Sequence, residues 1–261
     1  MIEASSRAGG LQKESPYIND WFPAVMGLQG RQIAHNLHEQ LLAAGVALRT
    51  NTPVLRVHVQ EDLVDVHLSD STQVQAHYLV VATGAKFRSG GFTASPLLSI
   101  GPGHNFEGME VANRRVAILG GGDNSFDAYK FAMQRGAASA HIFARNLRAK
   151  KVTTRHVPDS SISVGAFEVD ENAMSINGQP FDCISVQFGF EAVLPNGLEQ
   201  LELAATGQVV SDHWGQTNLT NVYAIGEVAN AFHPATVTSM AHGIQAAKHI
   251  QTRIESSAGH S

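Results

Sequence analysis

The chain has 261 residues, 18 Lys and Arg against 23 Asp and Glu, a formal net charge of -5 and a hydrophobic fraction of 43%. That length holds one large or two modest domains, and the balance argues against disorder and against nucleic acid or an anionic membrane as partner. The one cysteine, Cys183, excludes an internal disulfide. No apolar run approaches the roughly 20 residues of a membrane span and no signal peptide stands out, so a reducing, cytoplasmic setting is expected. The 13 histidines are scattered without zinc-type spacing, Asp212-His213 included. Metal chemistry and, for want of a nucleophile-elbow pattern, Ser/His/Asp hydrolysis are disfavoured.

Met1 to Trp21 shows little periodicity and contains the turn signal Gly9-Gly10 and the breaker Ser15-Pro16. From Gly30 a helix is expected, with Ile33, Leu37, Leu41 and Leu42 on one face and Gly45 as its stop. Val57 and Val59, then Val64, Val66 and Leu68, alternate with polar residues as in a β-meander. Tyr78 to Val81 is an apolar strand that runs into the turn Ala82-Thr83-Gly84. Lys86 to Asn113, rich in Gly, Ser and Pro, reads as a connection between domains. Strand patterns resume at Arg115–Leu119, Ala140–Ala144, Ile162–Val169, Ala173–Ile176 and Cys183–Phe188, with a helix expected over Asn124–Arg135. After Arg148 no helix is expected. The chain closes with strand Val222–Ile225, turn Gly226-Glu227 and a helix from about Pro234 to Ile254.

The most informative segment is Val116-Ala117-Ile118-Leu119-Gly120-Gly121-Gly122-Asp123-Asn124-Ser125. It has the order strand, G-x-G-x-x-S, helix. In a dinucleotide-binding unit Gly120 allows the tight turn, Gly122 lets the backbone approach a pyrophosphate, and Ser125 is small enough for close helix packing. The N–H groups of Asp123, Asn124 and Ser125 would face the phosphates at a helix N-terminus. An ordinary glycine-rich turn is the plainer alternative. The next strand ends in Ala144-Arg145-Asn146-Leu147-Arg148, with no acid for ribose hydroxyls. Arg145 and Arg148 suit a 2′-phosphate, which favours NADPH over NADH, unless both are solvated surface residues.

In this order the motifs resemble the thioredoxin-reductase-like branch of the FAD- and pyridine-nucleotide-dependent oxidoreductases. The resemblance covers nearly the whole chain. It implies an α/β fold of two Rossmann-like dinucleotide-binding domains in three layers, each a central parallel sheet, with a β-meander. An FAD domain, residues 1–110 and 195–261, would be split by a shortened NAD(P)H domain, residues 111–194. Crossover strands are expected near Ala82-Thr83-Gly84 and within Gly189 to Asn196. By the same resemblance Glu3 takes the place of the acid on the adenosine ribose. Gly9 and Gly10 match the Gly-Gly after the second strand of the FAD domain, and Asp20 stands where the family has Asn beside the flavin. Thr83 and Gly84 match its Ala-Thr-Gly turn, and Gly226-Glu227 its Gly-Asp pair on the ribityl chain, one methylene longer here. Thr236 and Val237 open the helix whose positive end faces the flavin, where negative charge collects on reduction.

The sequence departs from the family in three places. The family's opening strand and first glycine-rich turn would precede Ile2. The Cys-x-x-Cys of its reducing members is replaced by Gly103-His104-Asn105-Phe106, so a dithiol relay is excluded. His104 is a candidate for a place beside the flavin, against the plainer reading of a loop histidine. The second domain is short. Together these imply a flavin-dependent NAD(P)H oxidoreductase, homodimeric like its relatives, with FAD and NADPH as cofactors. Its electrons would go to ferredoxin, flavodoxin or a small molecule such as a quinone. A degenerate, non-catalytic nucleotide-binding or regulatory protein and a flavin monooxygenase-like oxidase are the alternatives.

Overall fold

A computed structural model describes residues 1–15, 18–19, 21–229 and 235–258. The chain forms two compact units, one from Met1–Lys86 with Glu191–Ser261 and one from Phe87–Phe190.

In the first unit Val54–Val59, Val64–Leu68 and Gln73–Ala76 form an antiparallel meander. Its alternation is physical: Val57, Val64, Val66 and Leu68 are buried, because successive side chains point to opposite faces. Asp65 points away from that core, where its carboxylate accepts from the amides of Gln60, Gln75 and Gln73 at 2.7, 2.7 and 2.9 Å. Leu79–Val81 pairs in parallel with Val222–Ala224, joining segments far apart in sequence. The helix Gly30–Ala43 buries Ile33 and Ala34 on one face. Thr236–Ala258 is a 23-residue helix. No described helix is long and apolar enough to cross a membrane.

The second unit is built on a five-stranded, all-parallel sheet. Its strand order is Leu98–Ile100, Cys183–Val186, Arg115–Leu119, Ser139–Ala144, Ile162–Val164. In the central strand Arg115–Leu119 the four residues after Arg115 are apolar and fully buried, because both faces of the sheet are covered. Val116, Ile118 and Ile142 pack with Phe126 and Ala132 of the helix Asp123–Gln134. Ala117, Leu119 and Phe143 pack on the other face with Phe181 and Ile176. These are the parallel sheet and the layered α/β construction expected from the sequence.

Two local expectations are corrected. Residues 87–110 group with the second unit, not the first, because Leu98–Ile100 pairs with Cys183–Val186 as an edge strand. The supposed connection also contains a one-turn helix, His104–Glu107, which buries Phe106. A second short helix, Lys151–Thr154, follows Arg148, where none was expected. Three- and four-residue elements carry too little periodicity to stand out in a stretch rich in Gly, Ser, Pro or Lys.

Candidate functional site

The glycine turn of the second unit follows the C-terminal end of the central strand Arg115–Leu119, the edge where open α/β sheets place ligands. Gly120 has φ +143°. A Cβ on it would stand 2.3 Å from the carbonyl oxygen of Gln187 and 2.7 Å from Ser125 Oγ. Gly121, to which the sequence motif gives no task, is tighter still: its Cβ would lie 2.0 Å from the Asn146 carbonyl oxygen. At Gly122, the N-cap, a Cβ would meet nothing within 4 Å. Two glycines thus serve close packing, while the third borders open space at the start of a 12-residue helix.

The segment after the second strand is strapped to this turn by its backbone. Arg148 N–H and Ala149 N–H both donate to Gly121 O, at 2.7 and 2.9 Å. Lys150 N–H donates to Asp123 Oδ1 at 3.0 Å. The strap carries the exposed Arg145 and Arg148 and, just beyond, Lys150 and Lys151, with no acid between Arg145 and Lys151. Asp123 is therefore engaged by its own chain. Asn124 is half-buried, and Ser125 is fully buried with no partner for its Oγ among the described residues. Gln187, also missed by the motif, is buried beside Gly120. Its Nε2 donates to Gly101 O at 3.2 Å and to Ser185 Oγ at 2.9 Å. The only signal for it was a polar residue inside an apolar strand pattern.

In the first unit the strand Leu79–Val81 ends in Ala82-Thr83-Gly84. Thr83 Oγ1 donates to Val193 O, and Val193 N–H donates to Gly84 O at 3.1 Å. Gly84 has φ +69° and open space where a Cβ would stand. The parallel partner strand Val222–Ala224 ends in Gly226-Glu227. Gly226 has φ +71°, and a Cβ there would reach Ser239 Oγ at 3.3 Å, so the turn lies on the opening of the helix begun by Thr236 and Val237. Partial burial raises the Glu227 carboxyl above its ordinary value, and among the described residues no donor bonds it. The buried His242 accepts from Gly226 N–H at Nδ1, 3.4 Å away, and burial lowers its ring below the ordinary imidazole value. Its place on the inner face of the helix, with Ala246, was the missed signal.

The amino-terminal residues are more committed to their own chain. Glu3 Oε1 accepts from Ser5 N–H at 2.8 Å and from Ser5 Oγ at 2.6 Å. Gly9, at φ +136°, permits close packing on Ala34, while Gly10, at φ +49°, has open space beside it. Asp20 and Pro234 lie outside the described residues. His104 opens the His104–Glu107 helix of the second unit, and its side chain lies outside what is described.

Both turns suit the groups that their motifs imply. A dinucleotide pyrophosphate fits the open side of Gly122, at a helix start and beside a strap of cations. A flavin's hydroxylated chain fits the half-buried Glu227 carboxyl, and the open Gly84 leaves room for approach.

Residues 104–249, more than half of the chain, match the family described as pyridine nucleotide-disulphide oxidoreductase. The ferredoxin--NADP reductase of Lactococcus lactis subsp. cremoris (strain MG1363) is 25% identical, over 88% of this chain and 78% of its own length. An alkyl hydroperoxide reductase chain from Staphylococcus aureus (strain NCTC 8325 / PS 47) is 24% identical, over 93% of this chain but 52% of its own length. In fold the chain is similar to the crystal structure of Lactococcus lactis thioredoxin reductase, with a TM-score of 0.76 and 18% identity, over 96% of this chain and 89% of that one. With its glycine turn inside the matched segment, the chain belongs to the pyridine nucleotide-disulphide oxidoreductase family, whose members are FAD- and NAD(P)-dependent oxidoreductases.

Proposed function

We propose that the protein is an FAD-dependent oxidoreductase that takes electrons from NADPH and delivers them to a non-disulfide acceptor, a ferredoxin, a flavodoxin or a small molecule. The observation that carries the reading is the basic strap on the Gly120–Ser125 turn: a helix start receives the pyrophosphate, and two arginines with no acid beside them receive a 2′-phosphate. The single cysteine, buried in the sheet, supports a non-disulfide acceptor, since a dithiol relay needs two accessible sulfurs. The relative named ferredoxin--NADP reductase is consistent with this choice.

In this reading the bound flavin supplies the hydride and electron chemistry, and the protein supplies position. Gly120, Gly122 and the amides at the start of Asp123–Gln134 seat the pyrophosphate. Arg145 and Arg148 hold the 2′-phosphate. Thr83-Gly84, Gly226-Glu227 and the Thr236–Val237 helix start seat the flavin, with the Glu227 carboxyl able to donate as well as accept a hydrogen bond when protonated.

The alternative of a non-catalytic nucleotide-binding protein draws support from Glu3 and Asp123, whose carboxylates are bonded within their own chain. One experiment separates the two. The visible spectrum of the purified protein is recorded, with FAD added if needed, and NADPH is then introduced without oxygen. Flavin bands that bleach establish the oxidoreductase. A colourless protein that takes up no FAD sinks it.

A further inference from the structure

The first unit carries a cleft of about 430 Å³ lined by Arg7, Lys13 and Arg31 together with Gln32, His35 and Asn36. No carboxylate is among its lining residues. Arg7 and Lys13 are half-buried and Arg31 is exposed. Among the described residues the ion pairs are His35–Glu39, Lys86–Glu191, Arg115–Asp182 and Arg135–Glu110, so none of these three cations has a direct ion pair, and Lys13 reaches the Glu3 carboxylate only through Ser5 Oγ. Cations partly withdrawn from water without a counter-charge are costly, and an anion in the cleft would offset that cost.

Two of the cations are held in place. Lys13 Nζ donates to Ser5 Oγ at 2.6 Å and to Arg7 O at 3.1 Å. Arg31 Nε donates to Gln29 Oε1 at 2.7 Å, which leaves the outer nitrogens of its fork for a ligand. The backbone donors at the start of the Gly30–Ala43 helix are engaged: Arg31 N–H bonds Ser15 O and Gln32 N–H bonds Gln29 O, each at 2.9 Å. Recognition here falls on side chains, unlike the helix-start chemistry of the second unit.

We propose that this cleft binds a phosphorylated small molecule by its phosphate, with Lys13 and Arg31 as the direct donors and Arg7 adding charge. Three cations match a dianion better than a single carboxylate. The guanidinium fork and the ammonium are the side-chain groups suited to phosphate oxygens. The cleft lies in the size range of small-molecule sites, and the Gln32 and Asn36 amides offer donors and acceptors to the rest of the ligand.

The test is calorimetric titration of the full chain with inorganic phosphate, pyrophosphate and AMP, in low and high salt. The proteins compared are wild type, Lys13→Ala, Arg31→Ala and, as a control at an exposed cation away from the cleft lining, Lys248→Ala. The expected result is saturable binding of at least one probe, weakened by salt, unchanged by Lys248→Ala and weakened about tenfold by each of the other two substitutions. Arg31 is exposed, so Arg31→Ala keeps the test open if Lys13→Ala does not fold. Absence of saturable binding, or binding indifferent to Lys13 and Arg31, overturns the proposal. So does loss of bound flavin in Arg31→Ala, or displacement of the probe by FAD, which would give the cleft to the flavin's own phosphates. A colourless protein that still binds phosphate through Lys13 and Arg31 would sink the oxidoreductase reading and leave this site standing.

Discussion

Gly121 lies so close to the carbonyl of Asn146 that a Cβ on it would stand 2.0 Å from that oxygen, while the neighbouring Gly122 has open space where its own Cβ would be. The two positions therefore separate packing from ligand approach. Gly121→Ala is expected to push the strap away from the turn, costing about 1–3 kcal/mol as overpacking does. Its melting temperature and its nucleotide affinity should fall together. Gly122→Ala should lower the melting temperature only slightly, by the poorer N-cap, and weaken NADPH binding about tenfold or more, because the added methyl stands where the pyrophosphate comes close. Thermal melts and fluorescence titration with NADPH check both. Equal affinity in Gly122→Ala and wild type would count against a pyrophosphate at this turn.

Arg145 and Arg148 are exposed and make no ion pair among the described residues, so their removal should not unfold the protein. Each substitution to Ala is expected to weaken NADPH about tenfold and to leave NADH within about twofold, since only the former carries the 2′-phosphate. The ratio of the two dissociation constants is the quantity to measure. A parallel loss for both nucleotides would mean that the arginines hold something other than that phosphate.

Arg115 donates to Asp182 three times, through its backbone N–H, Nε and Nη2, at 2.8, 3.1 and 2.8 Å. These bonds lower the Asp182 carboxyl from 3.8 to about 2. A carboxyl with a depressed folded-state value adds stability that is fully present above its unfolded value and is lost as the pH falls through the folded one. The contribution should therefore disappear between pH 3.8 and about 2. Asp182→Asn is expected to lower the melting temperature slightly at neutral pH and to converge with wild type at the acid end. A difference that persists unchanged into strong acid would assign the loss to packing.

Glu227 has the opposite sign. Burial raises its carboxyl above the ordinary 4.5, so the neutral form is favoured and stability falls as the pH rises through the folded value. Glu227→Gln is expected to raise the melting temperature of the flavin-free protein at neutral pH and to weaken FAD retention. Glu227→Asp should retain the flavin better than Gln does, if an acid is what the site requires. Pale Asp and yellow Gln variants would reverse the assignment.

Cys183 is fully buried, its thiol donating to Glu110 O at 3.5 Å, and burial raises its pKa above the ordinary value. Such a thiol is a poor nucleophile. Cys183→Ala should oxidise NADPH with a ferredoxin or quinone acceptor at close to the wild-type rate, and native protein should resist alkylation. Loss of turnover in a folded Cys183→Ala protein would bring the sulfur back into the chemistry.

Much of the architecture was legible because burial on two faces leaves a continuous apolar run, as in the four residues after Arg115 in Arg115–Leu119, while burial on one face leaves a sequence alternation, as in Val64–Leu68. Leu98–Ile100 escaped because a three-residue edge strand in a Gly- and Ser-rich stretch is defined by its partner, Cys183–Val186, and not by its own pattern. The same limit applies to the site. Gly120 and Gly122 are legible from a local motif, but the constraint on Gly121 comes from Asn146, just past the end of the next strand. The contact of Gly226 with His242 likewise depends on a helix folding back over its own approach. Lys13 and Arg31 belong to no local motif, and only the fold brings them to one cleft.

The strap over the glycine turn is clipped by main-chain amides: Arg148 and Ala149 both hang from the Gly121 oxygen. Nothing in that fastening depends on which side chains the strap carries. The letters at 145 and 148 can therefore be rewritten while the loop keeps its shape. A swap of coenzyme preference here becomes a matter of exchanging two exposed residues, open to drift in nature and to deliberate re-coding at the bench, with the scaffold beneath left as it was.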